Sequence, residues 1–331
     1  SFAGLIIGTL FAGRLIGRFG ARSTALAGVW VSVLAAAAIA ALLHAGYADP
    51  FAIAALAAIG ALLDGPAAIA SETNYPEVAR IARVDLVRLN AADDALDHTA
   101  GLVAPAAAAI LVSSQGAPNA AIALAVLGLM AAVSLSASLP SFRPRGREAV
   151  TLGTVVAHIR SDAVLFPLVM LFSGGVAVLV AAQLVIVPRL IHDARLGADT
   201  FAVFLVGAGI GGVAGAGLAA FAQRLGLRLV LSMSFAVMAG ALCLPLAGLA
   251  VWKLFAAGAL IGLPVGVVAP IANGIFQTRP PKSMRADVQG VSGSLAFALA
   301  PLAILGTGVA IDVAPARWVI AGLAALMLLL A

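Results

Sequence analysis

About eleven apolar runs of bilayer-crossing length follow one another along this chain, near 1–17, 23–44, 51–72, 89–113, 118–139, 163–188, 200–222, 229–249, 252–276, 288–311 and 316–331. At a rise of about 1.5 Å per residue, each such run crosses most or all of ~30 Å of hydrocarbon as a helix. No soluble core holds this much apolar surface. The chain is 63% hydrophobic and 10% charged, with a mean hydropathy of +1.13, whereas a soluble domain carries about 25% charged residues. Hydrocarbon offers backbone groups no partner, so each run has to satisfy its own hydrogen bonds as a helix. The expected fold class is an all-α integral membrane protein.

The net charge of +5 does not point to nucleic acid, because the basic residues sit in short loops between apolar runs, where they set orientation. Of the 19 Lys and Arg, all but Arg189, Arg195, Lys253 and Arg317 fall in one set of alternate loops. That set is expected to be cytoplasmic. The first run then enters from outside, so a further helix is expected ahead of Ser1, making twelve. Cys243 is the only cysteine, which excludes a disulfide framework and a thiolate metal site.

The chain repeats itself. Arg18-Phe19-Gly20-Ala21-Arg22 has an echo in Arg224-Leu225-Gly226-Leu227-Arg228, 206 positions later. Pro66 and Pro76 are ten apart, as are Pro270 and Pro280, and Pro105 and Pro301 fall in the helices that follow. Order and charge sense agree on a parallel repeat of two six-helix bundles. The expected division is an N-terminal bundle over 1–139 (helices two to six), a polar cytoplasmic linker over 140–162 with an amphipathic segment near Val150–Arg160, and a C-terminal bundle over 163–331 (helices seven to twelve).

On these residues the chain resembles the major facilitator superfamily. Gly13-x-Leu15-x-Gly17-Arg18-Phe19-Gly20-x-Arg22 is similar to that family's loop between helices two and three, Gly-x-Leu-x-Asp-Arg-x-Gly-x-Arg/Lys. The family's acid is replaced by Gly17, and the second copy carries Gln223 there, so the resemblance implies a weakened cytoplasmic latch. Ala104-Pro105 resembles a degraded form of the Gly-Pro-x-x-Gly-Gly segment of antiporters on helix five. Leu63-Asp64-Gly65-Pro66-Ala67 and Tyr75-Pro76-Glu77-Val78-Ala79-Arg80 are similar to a drug- and siderophore-exporter-like subgroup. The resemblance implies a monomer in the bacterial cytoplasmic membrane working by alternating access. Its partners would be the lipid bilayer, a small-molecule substrate and protons as coupling ion, with no cofactor and no enzymatic reaction. The gate residues it implies are Gly13, Gly17, Arg18, Gly20, Arg22, Arg224, Gly226 and Arg228.

The candidates for chemistry lie on the fifth helix. At about 100° per residue, Asn90, Asp94, Asp97, His98, Gly101 and Pro105 fall within an arc of about 100°. Asp94 lies about 9 Å inward of Arg88 at ~1.5 Å per residue, and Asp64 on the preceding antiparallel helix is expected at similar depth. Acids at membrane depth are costly and usually used, so Asp64, Asp94, Asp97, His98 and Asn90 are the expected coupling or substrate-cavity set. The plainer reading gives the acids to the helix N-terminus, where the macrodipole favours negative charge, and leaves His98 a packed neutral ring. Gly207, Gly211 and Gly215 read as close helix packing. Gly262 and Gly266, with Pro264 and Pro270, read as a bend. By family architecture, Phe166, Phe172 and Gln183 are expected near the cavity. No phosphate loop, no His-Glu-x-x-His and no Gly-x-Ser-x-Gly is present.

The function expected is secondary transport of a small molecule, with proton-coupled efflux first. The alternatives are facilitated uptake of a small solute, a non-transporting or truncated membrane protein, and an intramembrane enzyme. Cysteine labelling tests the orientation: a single cysteine at Arg145 should label from the cytoplasm and one at Asp193 from outside. The reverse pattern overturns the orientation.

Overall fold

The computed structural model describes residues 2–47, 49–138, 150–197 and 199–331, and no strand occurs among them. The helices are α1 (Phe2–Phe19), α2 (Ala21–His44), α3 (Pro50–Glu72), the short α4 (Tyr75–Ala82) and α5 (Leu86–Ser138). There follow α6 (Leu152–Ser161), α7 (Leu165–Ala181), α8 (Val187–Asp193), α9 (Asp199–Ala222), α10 (Leu227–Cys243), α11 (Val251–Thr278), α12 (Arg285–Val313) and α13 (Ala316–Leu330). Among the described residues, eight helices are long and apolar enough to cross a membrane. The 18-residue α1, the 15-residue α13 and the first half of α5 complete the expected runs. That half of α5 falls short on composition, because Asp93, Asp94 and Asp97 interrupt it. The runs expected at 89–113 and 118–139 form one helical stretch broken at Gly116, whose φ of 81° is open to glycine but strained for other residues. The fold class is the one read from the sequence, an all-α membrane protein.

The two basic turns share one geometry. Gly20 (φ 86°, ψ 155°) and Gly226 (φ 86°, ψ 142°) each sit at the N-cap of the helix that follows. Both lie in a region adopted almost only by glycine, so the sequence echo is also a backbone echo. Of the expected linker, residues 139–149, including Pro140 and Pro144, lie outside the described residues. Its later part is α6, capped by Thr151 and burying Val155 and Ile159.

By packing the chain divides into two units, each drawing helices from both halves of the repeat. The first comprises Ser1–Val78, Pro105–Phe166 and Phe276–Phe297. Here Ala12, Ile16, Ala25, Ile69, Ala70 and Ala286 form a small-residue core. Asp162 ties α6 into this unit. Its Oδ1 accepts from the Val164 and Leu165 amides at 2.8 and 2.9 Å, and Arg279 Nε donates to both its oxygens at 2.8 and 2.9 Å. Burial opposes the charge, but these donors outweigh it and hold the carboxyl below its ordinary pKa.

The second unit comprises Ala79–Ala104, Pro167–Ile275 and Ala298–Ala331. Its centre is the crossing of α9 and α11. A methyl added at Gly207, Gly211 or Gly215 would overlap the carbonyl oxygens of Phe255, Ala259 and Leu263 respectively. A methyl at Gly258, Gly262 or Gly266 would overlap those of Phe204, Ala208 and Gly212. Two glycine stripes thus face one another at backbone distance. The packing expected for α9 is there. Gly262 and Gly266, expected to allow a bend with Pro264 and Pro270, form the opposing stripe, and both prolines lie inside the single helix α11. Lipid tails are as apolar as leucine, so such approach, not hydrophobic exclusion, holds helices together in a bilayer.

The crossing predicts a contrast between glycines. Gly211→Leu should lower the thermal midpoint of the purified chain markedly, because overpacking costs about 1–3 kcal/mol and backbone cannot yield here. Gly240→Ala, where an added methyl meets nothing within 4 Å, should leave it unchanged or slightly raised. Equal midpoints for the two variants would refute the crossing.

Candidate functional site

The polar stripe of α5 does not act as one surface. Asn90 is buried and packs beside Gly274 of α11. Asp94 is half-buried, and its Oδ2 is buried without a hydrogen-bond partner among the described residues. Asp97 and His98, one turn further on, open onto a cavity of about 430 Å³. Apart from Gln183 its other walls are apolar, with Leu179 and Val180 from α7, Phe204 and Leu205 from α9, and Ile261 and Val265 from α11. Such a volume and lining suit a small organic molecule.

Two features of the cavity escaped sequence reasoning or were only half seen. Gly212 of α9 lies directly under the His98 ring, so a methyl added there would collide with it. The absent side chain is what lets the imidazole lie against α9. Gln183, expected near the cavity, does line it, and it does so from the π-helical turn Ala182–Ile186 that joins α7 to α8. Such turns redirect side chains and are frequent at functional sites. Phe166 and Phe172, expected alongside it, are not among the cavity's lining residues. Asp64 lies in the other unit, where Ser32 Oγ of α2 donates to its Oδ1 at 2.6 Å. Ala104 and Pro105 continue the α5 helix, with the Pro105 side chain outside the described set.

The gate residues divide by partner. Arg22 donates from an Nη to the Ser136 carbonyl at 2.9 Å, a cation at the end of α5 where the macrodipole favours it. Arg18 lies over the Phe19 ring, 5.4 Å from its centroid. Gly17 brings no charge, but a carboxylate reaches the same helix from elsewhere. Asp287, in the first turn of α12, lies against the backbone of Gly13, where an added methyl would overlap it. Nearby, Gln289 Nε2 donates to Glu72 at 3.1 Å, Thr9 and Ser294 share a 2.6 Å hydrogen bond, and Gly290 fits against the Thr9 carbonyl. The second copy has a counterpart. Gln223 Nε2 donates to Asp85 Oδ1 at 3.3 Å, just ahead of α5. Arg224 and Arg228 are exposed, and Gly226 makes the turn.

Comparison with known proteins agrees with this architecture. The family model of the Major Facilitator Superfamily matches residues 1–305. The chain is 27% identical over 345 residues to the multidrug efflux pump Tap of Mycolicibacterium fortuitum, covering 98% of this chain and 82% of that protein. It is 29% identical over 327 residues to Tap of Mycobacterium tuberculosis, covering 94% of this chain and 76% of that protein. Among solved structures, the human organic anion transporter MFSD10 (TETRAN) superposes with a TM-score of 0.76 at 14% identity, over 99% of this chain and 81% of its own. The Escherichia coli fucose:proton symporter FucP gives 0.72 at 16% identity, over 99% and 90%.

The α1–α12 contact predicts its own failure. Asp287→Asn should lengthen and broaden the distance distribution between spin labels on the basic ends of α1 and α12. The population should shift by about tenfold or more, since hydrogen bonds to charged groups contribute roughly 1.5–3 kcal/mol. Adding Gly17→Asp should restore the short distance. An unchanged distribution in Asp287→Asn would show that this acid holds nothing.

Proposed function

The chain belongs to the Major Facilitator Superfamily, and from that premise we propose that it exports small molecules across the cytoplasmic membrane by alternating access, in exchange for protons. Membrane transport by a multi-pass protein is what family membership establishes. Direction and coupling are our reading. Export is supported by the name of the relatives that share 27–29% of its residues, multidrug efflux pumps.

Coupling rests on one observation, the Asp94 carboxylate with a buried oxygen that no donor satisfies. A buried carboxylate normally has every oxygen occupied, because an unsatisfied buried polar atom is costly. Here one oxygen is open to a proton. Asp94 stands three residues before Asp97, which borders the cavity with His98. A substrate in the cavity and a proton on Asp94 would thus be felt through the same helix turn. In our reading substrate leaves as the proton is taken up, while the two bundles, 1–139 (helices two to six) and 163–331 (helices seven to twelve), rock about the cavity. Asp64, held by Ser32, is the second candidate carrier. The basic turns and the contacts of Asp287 and Asp85 would hold the cytoplasmic side closed during release.

Reconstituted vesicles with an imposed pH gradient provide the test. Asp94→Asn should reduce gradient-driven transport to the level of protein-free vesicles while leaving substrate exchange at equal pH largely intact. Exchange needs no net proton movement. Asp97→Asn should weaken both, because it borders the cavity. Gradient-driven transport at the wild-type rate in Asp94→Asn and in Asp94→Asn/Asp64→Asn would overturn proton coupling through these acids. Accumulation in the opposite sense would make the protein an importer.

A further inference from the structure

A second concavity, of about 700 Å³, lies between the basic ends of α5 and α9, and of its lining only Arg224 enters the transport reading, as part of a basic turn. Its mouth carries two guanidinium groups, Arg88 from the first turn of α5 and Arg224 from the turn after α9. Both side chains are exposed, and neither meets a carboxylate among the described residues. Asp85 lies at this end too, but it accepts from the Val87 and Arg88 amides and from Gln223 and forms no ion pair with either guanidinium. One carboxylate already shared with two amides leaves two guanidinium groups at one opening with room for a second anion.

Behind the arginines the walls are apolar and shallow-sided: Ala92 and Ala95 on α5, and Val213, Gly217, Ala220 and Phe221 on α9. No side chain there can bond a polar solute. The groove runs about 10 Å inward along α5 and about 16 Å along α9, at ~1.5 Å per residue. That is close to the ~15 Å of hydrocarbon in one leaflet. Its flanks are exposed and apolar, with Leu96 at 70%, Leu218 at 49%, Phe221 at 63% and Leu225 at 47%, so it opens toward lipid tails and not toward water. The distribution of Lys and Arg assigns this end to the cytoplasm.

We propose that this groove is a binding site for one anionic phospholipid of the cytoplasmic leaflet. The phosphodiester and its acidic headgroup bridge Arg88 and Arg224, and one acyl chain lies along the small-residue floor between α5 and α9. Small side chains make the floor. Gly217, where an added methyl would meet nothing within 4 Å, leaves room that a larger residue would take.

Native mass spectrometry of the purified chain, loaded with phosphatidylglycerol or with phosphatidylcholine of the same acyl chains, tests this. The wild type should retain one phosphatidylglycerol in preference. Arg88→Gln/Arg224→Gln should lose that preference by about thirtyfold, the size expected for two basic side chains at a leaflet surface. Gly217→Leu, which keeps both arginines and fills the floor, should also lose the bound lipid. Both sites are exposed, and the Arg double variant touches no helix packing, so it reports even if Gly217→Leu fails to fold. Unchanged retention in the Arg variant would overturn the proposal. So would displacement of the lipid by inorganic phosphate alone, which would mark a phosphate site without an acyl groove.

Discussion

The backbone's need for partners in hydrocarbon governs this molecule. Once every run is helical, apolar side chains no longer decide which helix lies beside which, because lipid solvates them as well as protein does. Discrimination passes to the positions where a side chain is missing. The facing glycine stripes of α9 and α11 let two backbones touch, each carbonyl sitting where a methyl would have been. The same device recurs in miniature at Gly13, Gly212 and Gly290, where the missing side chain admits a carboxylate, an imidazole and a carbonyl. A polar group held against bare backbone is placed more firmly than one held among flexible side chains, and the candidate site is assembled from such placements.

Helix α5 gathers the roles that remain. Its first turns carry Arg88 toward the lipid groove, Asn90 into packing with α11, Asp94 into burial and Asp97 with His98 onto the cavity. The arc drawn from sequence grouped Asn90 through His98 on one face, and the groups do fall near one another. What separates them is depth: Asn90 meets α11, and His98, about two turns further on, meets α9.

Much of the fold was legible. The eleven runs, the glycine turns at Gly20 and Gly226 and the close packing of α9 come from local rules that hold wherever a helix meets lipid or another helix. The packing of Gly262 and Gly266 against α9 was not foreseen, because that role is defined by a partner helix, which sequence spacing cannot supply. Gly212 escaped notice for the same reason, since nothing in α9 itself announces a histidine ring from α5. Asp287 looked like any acid in a first helical turn, favoured there by the macrodipole. Only the contact with Gly13 distinguishes it.

That contact bears on the missing acids of the basic turns. Gly17 and Gln223 leave both copies without the carboxylate that the family pattern would place there, which suggested a weaker closure. The structure supplies one acid to each copy from across the repeat: Asp287 to α1, and Asp85 to Gln223. These two acids are themselves 202 positions apart, close to the 206 of the turns, so the substitution has been made twice in the same sense. Asp85, just ahead of α5, accepts two amides of the helix it precedes, and Asp287 lies in the first turn of α12, where the macrodipole favours negative charge. An acid within the turn would have to draw its stabilisation from a partner that leaves when the gate opens. Moved to a helix start, it keeps its own amides in either state, so opening the gate costs only the contact across the interface. In the reading proposed above, the charge would serve as a latch whose release is cheap, which suits a gate that must open once in every transport cycle.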